Sequence, residues 1–417
     1  TAIAASGRNK SFLTGSSTGE VFQHYQTTGK TLLKRSLSPI GVTNVSFSPR
    51  GDGALVVTDG GLIVLDSLNN PHPEVSFGVL FSKVQYEGYR QATYTWQSTG
   101  GTDDFESKFS LMPLLFGTIK GATYALIFAF PMAILGALYT ALFAHPGIRN
   151  LIKPTVEIMA ALPSVVIGFI AALWLAPILE KRFVDVMLVL FAFPFSVILA
   201  IGIRAVLPPA LSARFPHGSE IIFLIPALLG IMYMSSLAAP FLEVSLFGGS
   251  FRQWLYESMN VTYDQRNSLV VGFAMGFAVI PVIFTISEDA LSGVPQHLTA
   301  GSLALGATRW QTATRVVLPT ASPGIFSATM IGFGRAVGET MIVLMATGNT
   351  PLMDFSAFVG MRTLSANIAV EIPEAPYLGS LYRILFLSGL LLFAFTFAVN
   401  TLAEVIRQRL RKRYSTI

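Results

Sequence analysis

The fold class that the sequence predicts is a polytopic α-helical membrane protein with a small β segment at its N-terminal end. Of the 417 residues, 52% are hydrophobic and only 12% are charged, whereas soluble domains carry about 25% charged residues. Apolar segments of about 20 residues, long enough to cross the hydrocarbon of a bilayer, recur after a polar start. The predicted fold is therefore mainly α, with an N-terminal all-β part.

The first segment, residues 1–72, is polar and rich in turns. Its phrases "STGEVFQHY" and "TDGGLIVLD" lie about 42 residues apart, within the usual period of a WD-type blade. The segment resembles the last one or two blades of a WD-like β-propeller, and a small unrelated β-domain is the alternative. Because residue 1 falls inside the repeat, we expect the chain to be the C-terminal portion of a longer protein.

The remaining chain is predicted to be a membrane domain. Residues 73–113 form a linker, residues 114–412 form the transmembrane domain, and a basic tail occupies 405–417. The expected spans are 114–143, 155–178, 184–206, 220–245, 268–288, 321–347 and 381–404.

Loop charges predict the orientation of these spans. The loops near 144–154, 207–219 and 289–320, together with the tail, hold ten arginines and lysines, and the opposite short loops hold five. The first set is Arg149, Lys153, Arg214, Arg309, Arg315, Arg407, Arg409, Arg411, Lys412 and Arg413, and the second is Lys181, Arg182, Arg252, Arg266 and Arg362. Positive charge favours the cytoplasmic side. The tail is therefore predicted to be cytoplasmic, and the β segment periplasmic.

Several functional classes are disfavoured. The chain has no cysteine, and its five histidines are scattered without metal-ligand spacing, so we expect no metal site. The net charge of +5 owes much to the tail, which suits anionic lipid better than nucleic acid. No glycine-rich phosphate-binding loop with the full pattern Gly-x4-Gly-Lys-Ser/Thr and no catalytic constellation is evident. We expect a protein that is not an enzyme, has no catalytic residues and binds no cofactor, with ATP used by a partner subunit.

The loop 289–319 is the most informative stretch. Its sequence "VPQHLTAGSLALGATRW" predicts two short helical pieces broken near Gly306, with Pro295 in a first turn and Pro319 starting the next element. An amphipathic helical hairpin at the cytoplasmic face would be a rigid protruding element that a soluble partner can bind.

This loop carries a family resemblance. Gly306, nine residues, Val316, one residue, Leu318 and Pro319 is similar to the signature loop of bacterial ABC importer permeases, whose coupling helix docks into an ATPase subunit. The resemblance implies ATPase-coupling roles for Ala300, Gly301, Ser302, Gly306, Ala307, Leu318 and Pro319. Most such permeases have Glu-Ala-Ala six residues before the glycine, where this chain has Ala300, Gly301 and Ser302. That departure removes one familiar glutamate contact with the ATPase.

Three stretches narrow the resemblance. "KPTVEIMAALPSVVIGFIAALWLAP", "LALGATRWQTATRVVLPTASPGI" and "GRAVGETMIVLMATGN" together resemble permeases of the phosphate-specific transporter, closest to the PstC type. The β segment resembles a long variant with an extra extracytoplasmic domain. The resemblance implies a type I ABC importer fold in a bacterial inner membrane. It also implies cytoplasmic ATP-binding subunits, a second, PstA-like permease and a periplasmic phosphate-binding protein as partners.

Two charges interrupt the sixth predicted span. Arg335 and Glu339 are four residues apart, so a continuous helix would place them on one face. One interpretation is a mutual ion pair that holds the helix to its neighbours. The other is a path for an oxyanion, which the guanidinium of Arg335 would bind through parallel hydrogen bonds. Thr340 adds a hydroxyl to this motif, and Ser164, which follows Pro163 in the second span, is a second candidate for lining the path.

The function predicted from these residues and the resemblance is that of a transmembrane permease for inorganic phosphate, coupled to ATPases through 289–319. An ABC permease for another oxyanion, such as sulfate or molybdate, is one alternative. A sensory or scaffolding protein derived from a permease is the other, because the Glu-Ala-Ala triplet is missing.

Overall fold

The computed structural model describes residues 2–36, 39–61, 63–68, 72–101, 105–206 and 221–414. Helices account for most of these residues, and the strands among them all end by Phe109. The chain divides into two compact units, Thr1–Phe116 with Glu371–Ser388 and Gly117–Val370 with Gly389–Ile417. The predicted fold class, mainly α with an N-terminal β part, is confirmed.

Two antiparallel sheets form the N-terminal part of the first unit. Their strands are β1 (Ala2–Ala5), β2 (Ser11–Gly15), β3 (Glu20–Tyr25), β4 (Lys30–Ser36), β5 (Val42–Phe47), β6 (Gly53–Thr58) and β7 (Ile63–Ser67). The first sheet has the order β1–β2–β3–β4 and the second β5–β6–β7. Along β3, Val21, Gln23 and Tyr25 are buried and the residues between them are partly exposed. This is the alternation that a strand with one buried face requires.

A tight turn recurs in both sheets at positions 42 residues apart. Gly19 and Gly61 have φ values of +78° and +72°, a region that favours glycine. The N–H of Gly19 donates to the carbonyl of Ser16 at 3.2 Å, and that of Gly61 to the carbonyl of Thr58 at 2.9 Å. The sequence offset therefore corresponds to a repeated strand–turn–strand geometry. The assignment of the sheets to propeller blades stays a prediction.

The two sheets share one apolar core. Leu13 from β2 packs in a cluster with Val45 and Val56 from the second sheet, and all three are nearly inaccessible to solvent. A Cβ at Gly15 would lie 2.5 Å from Cγ1 of Val42, so only glycine permits this close approach of β2 to β5.

Residues 73–113, predicted as a linker, contain secondary structure of their own within the first unit. The elements are α1 (Phe77–Phe81), β8 (Trp96–Gln97) and β9 (Lys108–Phe109). Trp96 is buried with its ring edge against Phe109, their centroids 5.8 Å apart. Its indole N–H donates to Oε1 of Glu371 at 2.9 Å, which satisfies a buried donor.

Helices make up the membrane part of the chain. They are α2 (Met112–Leu142), α3 (Pro146–Ala160), α4 (Ser164–Ile170), α5 (Ala176–Lys181), α6 (Phe183–Val206), α7 (Ile221–Phe247), α8 (Phe251–Met259), α9 (Ser268–Ser292), α10 (Gln296–Ala304), α11 (Arg309–Thr312), α12 (Leu318–Gly338), α13 (Met341–Ala346), α14 (Leu364–Glu371) and α15 (Ser380–Tyr414). Short π-helical turns at Ala171–Leu175 and Ala313–Val317 join α4 to α5 and α11 to α12.

Six helical segments of the described chain are long and apolar enough to cross a membrane. They are Met112–Leu142, Ser164–Lys181, Leu224–Met259, Ser268–Ser292, Arg309–Gly338 and Ser380–Arg409. The predicted span 184–206 corresponds to α6, whose apolar stretch Phe183–Phe193 is shorter where side chains are described. Five of the seven predicted spans therefore fall on one helix each, whereas 155–178 and 321–347 are each divided by a break. The protein is an integral, multi-pass membrane protein.

Some of the basic residues used to predict the orientation lie in parts of the chain that the structure does not describe. The loop near 207–219, which contains Arg214, lies outside the described residues, as do residues 415–417 of the tail. The side chains of Arg204, Arg411, Lys412 and Arg413 also lie outside the description.

Helix α9 lies at the centre of the second unit. Buried residues make up 67% of its most apolar window, more than in the other candidate spans of the described chain. A Cβ at Gly272 of α9 would lie 2.9 Å from Cβ of Tyr124 in α2, and one at Gly332 of α12 would lie 2.6 Å from Cγ1 of Ile283 in α9. Small residues let these helices approach closely, as is common in membranes.

Candidate functional site

One helix connects the predicted coupling loop to the intramembrane arginine. From Arg309 to Gly338 the helix is continuous, because the π turn at 313–317 links α11 to α12 without a break. At 1.5 Å per residue its 30 residues span about 45 Å. The loop end and the segment that carries Arg335 therefore belong to one helix.

The helix ends sooner than the sequence predicts. The predicted span 321–347 is broken after Gly338, and Glu339 has an extended backbone with φ −68° and ψ 127°. Its Oε1 accepts the backbone N–H groups of Met341 at 3.2 Å and Ile342 at 3.4 Å, at the start of α13. The expectation that Arg335 and Glu339 share one face of a continuous helix is therefore wrong. The carboxylate instead satisfies N–H groups that a helix start leaves unpaired.

The neighbours of Glu339 keep the break in place. The carbonyl of Glu339 accepts the hydroxyl of Ser365 at 2.9 Å. The hydroxyl of Thr340 donates to the carbonyl of Gly338 at 3.3 Å. Backbone groups freed by the break thus have polar partners, as broken membrane helices require.

Arg335 lies on the exposed side of α12, in a cleft against α15. The cleft has a volume of about 330 Å³. Its polar lining consists of Ser327 and Arg335 from α12 with Asn400, Glu404 and Arg407 from α15. Within the described part of the chain, Arg335 forms no ion pair with Glu339 or with another carboxylate. Its guanidinium therefore remains available to an anion.

Ser164 begins a second short helix beside α13. Pro163, with φ −61° and ψ 130°, directly precedes α4, so the predicted span 155–178 is broken at this position, between α3 and α4. Proline lacks an N–H and is tolerated at a helix start. A Cβ at Gly168 would lie 3.0 Å from the carbonyl oxygen of Met341. The half-helices that begin after Pro163 and after Glu339 are thus in close contact.

The predicted coupling loop is a helical hairpin. Helices α10 and α11 meet at Gly306, whose φ is +86°. Thr308 and Gln311 form a capping box at the start of α11. The hydroxyl groups of Ser302 and Thr312 lie 3.0 Å apart and join the two arms of the hairpin. The predicted break near Gly306 is confirmed.

The other loop residues named from the sequence surround this turn. Ala300 and Gly301 are exposed on α10, and the N–H of Ala307 donates to the carbonyl of Ser302 at 3.2 Å. Leu318 and Pro319 are the first two residues of α12. They continue the helix into the membrane.

The hairpin presents apolar side chains to the outside. Leu305 is 91% exposed, Trp310 59% and Leu303 45%. Exposed apolar side chains near a turn form the kind of surface that a protein partner can cover. In the described chain, no other part of the hairpin covers them.

A buried ionic cluster at the start of the loop was missed by sequence reasoning. Glu288, near the end of α9, is fully buried. Its Oε1 lies 2.5 Å from the Arg149 guanidinium and its Oε2 2.8 Å from the Lys153 ammonium, both on α3. Asp289 lies 3.2 Å from Lys153. These carboxylates raise the pKa of Lys153 above its usual value.

The cluster joins α3 to α9. Lys153 pairs with Glu288 and Asp289, and not with Glu157 one turn away. Among the described contacts, Glu288 pairs with α3 and not with Arg309 or Arg315. Contacts between residues about 140 positions apart leave no local sequence signal.

Two further polar features were missed. Lys120 of α2 is only 6% exposed, and its ammonium lies 3.5 Å from the carbonyl of Val359. On α15, Glu404 and Arg407 form a bidentate pair, with distances of 2.8 and 2.7 Å. Asn400, Glu404 and Arg407 have the spacing i, i+4, i+7, which places them on one helix face. That spacing was a readable signal.

Known proteins resemble this chain over most of its length. A probable ABC transporter permease protein YqgH of Bacillus subtilis is 24% identical over 307 residues, which cover 73% of this chain and 74% of the relative. The phosphate transport system permease protein PstC of Mesorhizobium japonicum is 27% identical over 307 residues, covering 73% and 76%. PstC of Xylella fastidiosa strain Temecula1 is 25% identical over 309 residues, covering 74% and 76%. The resemblance to phosphate permeases is thereby confirmed.

Residues 129–415 match the family model of the binding-protein-dependent transport system inner membrane component. The match covers the helices that carry the hairpin, Arg335 and the cleft against α15. A transport role and a dependence on ATP-binding partners follow for the chain. The chain therefore belongs to the family of binding-protein-dependent transport system inner membrane components and is a permease subunit of an ABC importer.

Proposed function

We propose that the importer carries inorganic phosphate and that Arg335 contacts it during translocation. The observation that carries this proposal is the Arg335 guanidinium, which lies exposed in a cleft of a membrane helix without a described carboxylate partner. The phosphate transport names of several relatives support the choice of substrate.

An unneutralised arginine within a membrane helix needs a reason. It costs roughly 2.5–3.5 kcal/mol at a helix centre even on lenient scales, and it does not lose its proton. Water or a passing anion in the cleft offsets that cost. The planar guanidinium fork matches a tetrahedral oxyanion through two parallel hydrogen bonds. Conduction also requires that the anion be bound weakly enough to be released.

The hairpin 289–319 is the proposed contact with the ATP-binding subunits. Its apolar tip, with Leu305 and Trp310 exposed, would insert into a groove of the ATPase. Because the helix continues from Arg309 to Gly338, movement of the tip would change the exposure of Arg335. ATP is used by the partner, and this chain binds no cofactor in the proposal.

The remaining partners and the orientation belong to the same proposal. A second, PstA-like permease completes the path, and a periplasmic phosphate-binding protein delivers the anion. The C-terminal tail faces the cytoplasm and anionic lipid, and the N-terminal sheets face the periplasm as propeller-like blades. Loop charge supports this orientation.

Phosphate uptake into vesicles that contain the full complex tests the proposal. We expect Arg335→Ala to abolish most uptake, while Arg182→Ala, an exposed arginine at the end of α5, leaves it near wild type. Normal uptake by Arg335→Ala would remove Arg335 from the path. Competition by arsenate but not sulfate is the expected selectivity; competition by sulfate would assign the chain to a broader oxyanion importer. Failure of the wild-type complex to transport any oxyanion would favour a sensory or scaffolding role.

A further inference from the structure

We propose that the cleft between α12 and α15 is an oxyanion-binding site in which Asn400 and Arg407 act with Arg335, and in which Glu404 competes with the anion for Arg407. The proposal rests on the proposed function and extends it to a helix that the sequence motifs did not include. The ligand class is a phosphate group, either free phosphate or the headgroup of a phospholipid.

The polar residues of the cleft converge from both helices. Asn400, Glu404 and Arg407 lie on the α15 face that lines the cleft, opposite Ser327 and Arg335 of α12. The volume of about 330 Å³ lies at the lower end of the range for small-ligand pockets. A site of this size suits a small ion better than a large organic substrate.

A glycine brings the amide of Asn400 close to Arg335. A Cβ at Gly334, the residue before Arg335, would lie 3.3 Å from Oδ1 of Asn400. Absence of a side chain at this position therefore lets the amide lie over the α12 backbone. The amide has two N–H donors in addition to its oxygen, so it complements a guanidinium as a donor to an oxyanion.

The charge balance of the cleft is positive. Arg335 and Arg407 contribute two positive charges and Glu404 one negative charge, which leaves an excess of one. Nε and one terminal nitrogen of Arg407 donate to the two carboxylate oxygens of Glu404 at 2.8 and 2.7 Å. Gln408 also donates to Oε1 of Glu404 at 2.9 Å. The carboxylate thus occupies the same guanidinium edge that a phosphate would use.

Exchange of carboxylate for phosphate gives the site a defined property. When a phosphate group binds Arg407, Glu404 leaves the guanidinium and remains hydrogen-bonded to Gln408. When the phosphate departs, Glu404 returns. Arg407 is therefore neutralised in both states, which keeps the cost of a charge near the membrane low and limits the affinity for the anion. No covalent step is involved.

Transport kinetics of the full complex in vesicles test the site. Removing one charge-assisted contact changes affinity by about tenfold or more. Arg407→Gln is therefore expected to raise the KM for phosphate about tenfold, and Asn400→Leu to raise it less. Glu404→Gln, which removes the competitor, is expected to lower KM and kcat together. Arg409→Gln is the matched control, because Arg409 is exposed on α15 and does not line the cleft. It should leave both constants unchanged.

The outcomes separate this inference from the proposed function. If Arg335→Ala abolishes uptake while Arg407→Gln, Asn400→Leu and Glu404→Gln match wild type, the cleft site is wrong and the proposed function stands. If Arg335→Ala also transports normally, both fail. Arg407→Lys keeps the charge but lacks the fork, so an intermediate KM is expected and confirms that the protein is folded. If Arg407→Lys has the wild-type KM while Arg407→Gln raises KM tenfold, position 407 requires only a positive charge and not the paired hydrogen bonds of a guanidinium.

The source of the phosphate group is determined separately. Delipidated complex is titrated with radiolabelled inorganic phosphate, and phospholipid that co-purifies with wild type and Arg407→Gln is quantified by native mass spectrometry. Competition between inorganic phosphate and retained lipid identifies one shared site. Saturable phosphate binding that Arg407→Gln weakens indicates free phosphate, whereas loss of bound phospholipid alone indicates a lipid headgroup. If Arg407→Gln changes neither, the site does not bind a phosphate group.

Discussion

The carboxylate of Glu339 accepts the backbone N–H of Met341 at 3.2 Å, across the break between α12 and α13. This contact gives the intramembrane glutamate a structural role at the start of α13, separate from that of Arg335. Although Glu339 and Arg335 belong to one sequence motif, Glu339 contacts the start of α13 and Arg335 lines the cleft against α15.

The first prediction separates capping from ion pairing at Glu339. Glutamine keeps the oxygen that accepts the N–H groups, so Glu339→Gln is expected to transport at close to the wild-type rate. Glu339→Ala removes the acceptor and is expected to cost about 1 kcal/mol of stability, measured as a lower midpoint of thermal inactivation. Equal loss of uptake in both variants would instead make the negative charge essential.

The second prediction concerns the buried Glu288. Glu288→Gln removes the charge that Arg149 and Lys153 share. Because both cations are 37% exposed and remain partly hydrated, the expected cost is about 1–3 kcal/mol, that of lost hydrogen bonds to a charged group, and lies below the cost of breaking a fully buried pair. The variant complex is expected to inactivate at a clearly lower temperature. Asp289→Asn is the control, since Asp289 is 64% exposed and exposed pairs contribute about 1 kcal/mol or less. Equal thermal midpoints for the two variants would contradict this assignment.

The third prediction concerns the turn of the hairpin. Gly306 has a φ of +86°, and an L-residue there costs roughly 1–2 kcal/mol. Gly306→Ala is expected to reduce the ATPase activity that depends on the permease. Gly230→Ala, inside α7 and with open space around it, is the control and should leave coupling intact. Full coupling in Gly306→Ala would show that the turn tolerates distortion.

The fourth prediction concerns the apolar tip. Burial of one leucine at an interface contributes about 1.5–3 kcal/mol, equivalent to roughly 10- to 100-fold in affinity. Leu305→Asp is therefore expected to weaken ATPase binding at least tenfold, as measured by co-purification at graded concentrations. Ile40→Asp, at an exposed position among the sheets, is the control. Unchanged binding by Leu305→Asp would place the ATPase contact elsewhere.

The fifth prediction tests the repeat in the sheets. Gly19→Val and Gly61→Val are expected to destabilise the first unit to similar extents, because both glycines have positive φ in equivalent turns. Gly7→Val should be tolerated, since Gly7 has open space around it. Protease resistance of the first unit in the full chain measures the effect. Different sensitivity of the two turns would indicate that the sheets are not equivalent.

Hydropathy and turn chemistry predicted much of this fold. Apolar runs located the membrane-spanning regions because burial in lipid requires about 20 apolar residues whatever their packing, but they did not show that 155–178 and 321–347 are each divided by a break. The break at Gly306 was visible because glycine marks positive φ. The break after Gly338 was not, since the residues on both sides, from Met330 to Val343, are apolar enough to read as one helix. Tertiary contacts at Glu339 decide it.

The candidate site was predicted only in part. Arg335 stood out because an arginine in an apolar run is costly. Its cleft partners on α15 did not stand out, although their spacing places them on one helix face. They lie next to the basic run of the tail, so their charges were attributed to the tail. Glu288 shows the limit more clearly: its partners are on another helix, and no spacing rule connects them.

The continuous helix from Arg309 to Gly338 behaves mechanically as a lever. Its length is about 45 Å, so a tilt of about 10° around its midpoint moves each end by about 4 Å. That displacement exceeds the length of a hydrogen bond. At Arg335, which lies short of that end, the same tilt gives a displacement of about 3 Å, enough to make or break the hydrogen bonds between a guanidinium and an anion. Gly332 lies one turn away, so the close contact of α12 with Ile283 of α9 shifts in the same movement.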